Sequence, residues 1–416
     1  MHPPKKSTRP SNLLTIKESQ ARREQPMTGF GLWRLGFRPF YLGAALLAST
    51  AILLWLALLL GTLTLPGNNL SPIFWHAHEM VFGFALAVIA GFLLTASNNW
   101  SGILPAAGLP LATLCLIWFS ARMAMAMSLL QDQIVLAATL DITFNALLAA
   151  LLFRVLWMAK LWKNFSLLGI VTILGALNAW FYSTLLSDTP TNPLYLIELA
   201  LLAIMMLLVI MGGRVIPNFT QNAIRGISLW KPSFFNVATP LATLLGITGW
   251  LTAPPRIAFV LCLIAAAINT ARWIGWKPWK TFRHPMLCVL QLGYAWIPIT
   301  LICMGLESLD LAPRSLPVHA LAIGAMGLII AGMITRTAMG HTGRPIIASR
   351  IDTTFFLFIG TSAITRALAS LPSIQADNWT HPLLITAGTT WALGFLMYAI
   401  RYAPWLWRPR IDGRPG

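Results

Sequence analysis

Apolar residues run through this chain in long blocks, not at the 3.6- or two-residue spacing of half-buried elements. A helix needs about 20 such residues to cross a hydrocarbon layer of about 30 Å. Read on that scale, the pattern predicts twelve spans, at 40–61, 76–97, 107–130, 134–159, 164–184, 194–213, 235–252, 257–276, 285–305, 317–339, 352–371 and 381–402. Polar, Gly and Pro residues punctuate them, as in "ASNNWSGILPAAG" after the second block. The expected fold is an all-α integral membrane protein with twelve transmembrane helices. Its expected parts are a basic tail at 1–38, a membrane domain at 39–403 and a short C-terminal tail at 404–416. The first apolar block follows a long basic stretch, which is unlike a cleavable signal peptide.

Composition agrees, with 57% hydrophobic and only 10% charged residues among 416. A formal charge of +17 would suggest nucleic acid if it were spread over a soluble surface. Placed on the predicted topology with a cytoplasmic N-terminus, 25 of the 29 Lys and Arg fall on one side. That is the positive-inside distribution, so both termini are expected in the cytoplasm and no nucleic acid is needed. The partners expected instead are the bilayer and the anionic headgroups beneath residues 1–38. Cys115, Cys262, Cys288 and Cys303 all lie within spans and form no C-x-x-C pair, so they read as small buried hydrophobes.

The chain also repeats itself. Placing His78 on His319 aligns Gly83 with Gly324, Ile89-Ala90-Gly91 with Ile330-Ala331-Gly332, and Ser101-Gly102 with Thr342-Gly343. The offset is 241 residues, or eight helices, and half of it brings Gly212 of the sixth span to the place of Gly91. Three equivalent helices spaced four apart suggest four-helix units about a pseudo-threefold axis. The plainer alternative is that small residues simply recur in membrane helices.

Imidazoles at membrane depth are costly and usually mark function. His76, His78, His319 and His381 fall near the outer face, and His284 and His341 near the inner one. His319 and His341 lie on one span about 33 Å apart, too far to share a ligand. Two imidazoles at repeat-equivalent positions can face one another across a flat metal macrocycle. The leading site is therefore haem b with His78 and His319 as axial ligands, while small residues such as Gly83 and Gly324 let neighbouring helices or a flat ligand approach the backbone closely. No C-x-x-C-H motif calls for covalent attachment. His76 points about 200° away from His78 on a regular helix, toward copper or a supporting role, with Glu79 near enough in register to hold its second nitrogen. The competing reading makes both residues interfacial caps beside Trp75. Arg122 and Asp141 reach equal depth on consecutive spans and suggest a buried ion pair. Arg214, Arg336, His341 and Arg344, at Gly-rich span exits, suggest a cationic cluster for a propionate, another anion or a lipid phosphate. Positive-inside charge alone also places arginines there.

The strings "RLGFRPFYLGAALLA" (34–48), "WHAHEMVFGFALAVIAGFLLTASNNWSG" (75–102), "GGRVIPNFT" (212–220), "LGYAWIP" (292–298) and "HALAIGAMGLIIAGMITRTAMGHTGRP" (319–345) resemble the NnrS family. That resemblance implies a multi-spanning bacterial inner-membrane protein carrying haem and copper and acting in the response to nitric oxide and nitrosative stress, often beside denitrification genes. The chain departs from the family pattern at Gln291 and Tyr182, where many members have His. The threefold arrangement also resembles subunit I of haem–copper oxidases. That copper centre needs histidines on the sixth and seventh helices, and spans 6 and 7 hold none, which counts against an oxidase-type oxygen or nitric oxide reductase. The competing classes are a twelve-helix transporter of a metal, haem or small anion, and a structural or signalling partner without cofactor.

Overall fold

A segment in lipid must satisfy its backbone hydrogen bonds internally, so apolar blocks of this length become helices. The structure is a computed structural model describing residues 30–65, 70–187 and 190–414, and no strand occurs among them. The long helices are α1 (Phe37–Leu59), α2 (Pro72–Ser101), α3 (Leu109–Met127), α4 (Ile134–Met158), α5 (Phe165–Leu186), α6 (Pro193–Ala223), α7 (Phe235–Thr252), α8 (Pro255–Gly275), α9 (Pro285–Ser308), α10 (Ser315–His341), α11 (Arg350–Leu368) and α12 (Thr380–Trp407). The basic tail up to residue 29 lies outside the described residues.

Among the described residues, ten of the expected spans are long and apolar enough to cross a membrane. The two others, α7 and α11, are helical but more polar: α7 carries five threonines or asparagines, and α11 carries Arg350, Asp352 and Arg366. Local signals set many of the ends. Proline occupies the first turn of α2, α3, α6, α8 and α9, where a missing N–H costs nothing. The Asn192 side chain accepts from the Leu194 N–H at the start of α6. Ser349 and Asp352 form a reciprocal capping box at α11. Gly102 closes α2 in the left-handed conformation at φ 71°.

α6 runs well beyond the expected boundary at 213. Its 31 residues span about 46 Å, more than a hydrocarbon layer of about 30 Å needs. Pro217 does not stop it. The turn is tied from within and from α9, as Thr220 Oγ1 donates to the Ile216 carbonyl and accepts from Gln291 Nε2 at 3.3 Å.

Sequence neighbours pack in three runs: α3 to α6, α7 to α10, and α11 through α12 and α1 to α2. α2 and α10 are the most enclosed, with 89% and 72% of their apolar windows buried, and α6 touches both. Both central helices contain a π-helical stretch, Glu79–Ala85 in α2 and Ala320–Gly327 in α10. Each begins directly after the histidine that the sequence repeat aligns, so the repeat has a structural counterpart. Such widened turns often mark functional positions.

The small residues of the repeat let neighbouring helices approach closely, one of the two uses expected of Gly83 and Gly324. A Cβ on Gly83 would lie 3.0 Å from Arg122 Nη1 and from Glu79 Oε2, and one on Gly324 would strike the Trp296 ring. Gly91 receives Tyr41 and Gly212 receives Tyr294 in the same way. Gly324→Ala should therefore force α10 from α9 and cost about 1–3 kcal/mol, read as a lower thermal midpoint in detergent. Gly360→Ala, with nothing within 4 Å of the added methyl, should not lower it. Equal losses in the two variants would contradict this packing.

Candidate functional site: a cavity between two imidazoles

A charged side chain buried among helices needs its partner on the spot, because no water can screen it. On α2 that partner comes from α3. Arg122 donates through Nη1 to Glu79 and through Nη2 to Asp141 of α4, and none of the three is more than 2% exposed. These include the two residues whose equal depth suggested a pair. Tyr182 of α5 donates to Asp141 Oδ2 at 2.7 Å. His78 completes the cluster: Nδ1 lies 3.2 Å from Glu79 Oε1, and Nε2 lies 2.9 Å from the Asn178 side-chain amide oxygen and 3.6 Å from Asp141 Oδ2. Trp118 of α3 donates to the Gly83 carbonyl at 3.1 Å, satisfying a backbone group inside the π turn.

His78 has no exposed surface, and its two ring nitrogens lie against Glu79 and Asn178. The expected facing of His78 and His319 is not what the helices produce. Glu79 likewise supports His78 and Arg122, not His76. The reason is rotational: the Arg122 staple turns the His78 side of α2 toward α4 and α5. His76, about 200° around the helix, then faces the opposite way.

There it meets His319. The two rings line one partly open cavity of about 360 Å³, bordered by α1, α2, α6, α10, α11 and α12 near the face opposite the basic one. The walls are largely apolar, with Met80, Phe84, Ile323 and Trp391 among them. The His76 ring lies flat against Trp55 of α1, centroids 4.6 Å apart and planes 9° apart. Its Nδ1 is buried and has no hydrogen-bond partner. His319 is oriented by its own backbone, Nδ1 lying 2.8 Å from the Ser315 carbonyl oxygen. A carbonyl only accepts, so Nδ1 carries a proton, and in the neutral tautomer this leaves a bare lone pair on Nε2.

Sequence reasoning missed the charged groups around this space. Arg314, just before α10, lies 3.7 Å over the Trp250 ring and bridges Glu198 of α6 at 2.9 Å and Glu307 of α9 at 3.3 Å. Burial works against its charge, but the two glutamates outweigh it and hold its pKa above the ordinary value. Trp250 Nε1 donates to Glu307 at 2.7 Å. Arg366 of α11 lines the same cavity. The available signals were Arg366 inside an apolar block and Glu198 one residue before the histidine position of the repeat.

The four basic-face residues are not gathered into one cluster. Arg214 donates to Asn164 at 3.4 Å, Arg336 lies over Phe219 at 3.7 Å, and Arg344 lies over Trp405 at 4.3 Å. The His341 ring packs on Phe37 with centroids 5.4 Å apart. The C-terminal segment folds back among them, with Ile411 N–H donating to the Thr342 carbonyl. There Arg410 hydrogen-bonds Asp412 and holds its carboxyl below the usual carboxylate range. Among the described residues no group of three or more His, Cys, Asp or Glu could hold a metal ion.

Fold and site together define a multi-pass helical membrane protein with a histidine-lined cavity between its central helices. The chain belongs to the NnrS family: the family model, described as NnrS protein, matches residues 31–410. Comparison with curated proteins returns no match.

Removing Arg122 would leave two carboxylates buried without a cation. Arg122→Leu should lower stability by about 3–5 kcal/mol, measured by thermal unfolding in detergent. Adding Glu79→Gln and Asp141→Asn to it should recover part of the loss. A triple variant no more stable than the single one would contradict the charge account.

Proposed function

We propose that this chain holds haem b in the cavity between His76 and His319 and acts in the nitric oxide response of a bacterial inner membrane. In this reading the basic face is cytoplasmic. α7 and α11 complete twelve spans, and the three packing runs are four-helix units about a pseudo-threefold axis, as in haem–copper oxidase subunit I. One observation carries the proposal: two imidazoles from separate central helices line a single cavity, one with an unpartnered buried nitrogen, the other with its proton tied to a backbone carbonyl.

That second arrangement is how metal-binding histidines are commonly oriented, the remote N–H tied so that the near nitrogen faces the metal. A porphyrin brings its own equatorial donors and asks the protein only for axial groups, which suits two imidazoles. A bare copper ion would need a larger donor set than any among the described residues. We therefore keep haem and leave the copper expectation without a site. When bound, haem would supply a one-electron redox centre, held by His76 and His319. The protein's part is to orient the imidazoles, His319 through Ser315 and His76 through Trp55.

Haem content by the pyridine haemochrome assay tests this on purified wild type and three alanine variants. His76→Ala and His319→Ala should each lose most of the haem, while His78→Ala should keep it with a lower unfolding temperature. Full haem in both His76→Ala and His319→Ala would refute the site. So would selective loss in a folded His78→Ala protein.

A further inference from the structure

Arg314 and Arg366 both line the cavity, yet only one of them is neutralised. Arg314 has a carboxylate on either side, Glu198 and Glu307. Arg366 has no acidic partner within ion-pair distance among the described residues. Its hydrogen bond runs from Nη1 to the Ser370 hydroxyl at 2.6 Å, which leaves the rest of the guanidinium fork unclaimed. A cation at this depth, between apolar walls, is unfavourable without a counter-charge.

The guanidinium is also held in step with His319. Ser370 Oγ accepts from Arg366 and lies 3.2 Å from Ser315 Oγ, which donates to it. The carbonyl of that same Ser315 holds the His319 ring at 2.8 Å. One short chain of side-chain and backbone contacts thus fixes both the imidazole and the arginine that share the cavity wall.

We propose that Arg366 is the anion-holding group of this cavity, pairing with a planar oxyanion on the ligand that lies between His76 and His319. Guanidinium and carboxylate or nitrite match as fork to fork, which lysine cannot reproduce. The oxyanion has two possible sources, a porphyrin carboxylate or a free small anion such as nitrite. The inference rests on the cavity being the ligand site proposed above, and its test separates the two.

Wild type, Arg366→Lys and Arg366→Gln, each first shown to be folded by gel filtration and thermal scan, are stripped and titrated with haem b and with its dimethyl ester, whose carboxylates are blocked. If Arg366 holds a porphyrin carboxylate, wild type should prefer the free acid by about tenfold or more. The Gln variant should lose that preference and the Lys variant should fall between. If Arg366 holds a free anion, both porphyrins should bind alike, and nitrite should shift the Soret band of wild type but not of Arg366→Gln. If neither porphyrin binds any of the proteins, the haem reading fails while this one is still decided, by calorimetric titration of the haem-free proteins with nitrite. Heat in wild type that is absent in Arg366→Gln supports the assignment. A Gln variant matching wild type in every arm overturns it.

Discussion

The neutralisation of Arg122 inside the membrane governs how this molecule is arranged. With Glu79 on one side and Asp141 on the other, its guanidinium ties α2, α3 and α4 together at one depth. Breaking such a set strands a charge where water cannot follow, so α2 is not free to turn about its axis. The rest of the site follows from that fixed rotation. His78 is drawn into the charged cluster, and His76, on the other side of the helix, faces the cavity. The π turn starting at Glu79 accommodates the change, and Trp118 takes up one of its carbonyls.

Much of the fold was legible because lipid imposes a single length scale. Block boundaries in the sequence match the observed helices closely for α4, α7 and α9. α6 runs on past its expected end at 213, through Arg214, Pro217 and Asn218. In the folded chain Thr220 and Gln291 support the extra turns, a contact between distant segments that no local pattern carries. The repeat was visible as aligned His and Gly residues, and its π-helical stretches gave it a structural basis. Of the two uses its glycines offered, the fold shows the approach of neighbouring helices, with Arg122 beside Gly83 and Trp296 beside Gly324.

The site was legible by halves. Equal depth was enough to suggest Arg122 beside Asp141. The spacing of His76 and His78 was enough to say that they face opposite ways, but not which of them faces inward. That choice belongs to the absolute rotation of α2, fixed by side chains 40 to 100 residues away in α3, α4 and α5. Arg366 and Arg314 lie 52 residues apart in the chain, and only the fold brings them to one wall beside His319.

The central claim is that the imidazoles of His76 and His319 serve one ligand. Electron paramagnetic resonance of the purified, oxidised wild-type protein tests it most directly. Two histidines on one ferric haem should give a low-spin spectrum with little high-spin signal. A purely high-spin spectrum would mean that the rings do not both reach the iron, and a protein that carries no haem at all would contradict the account outright.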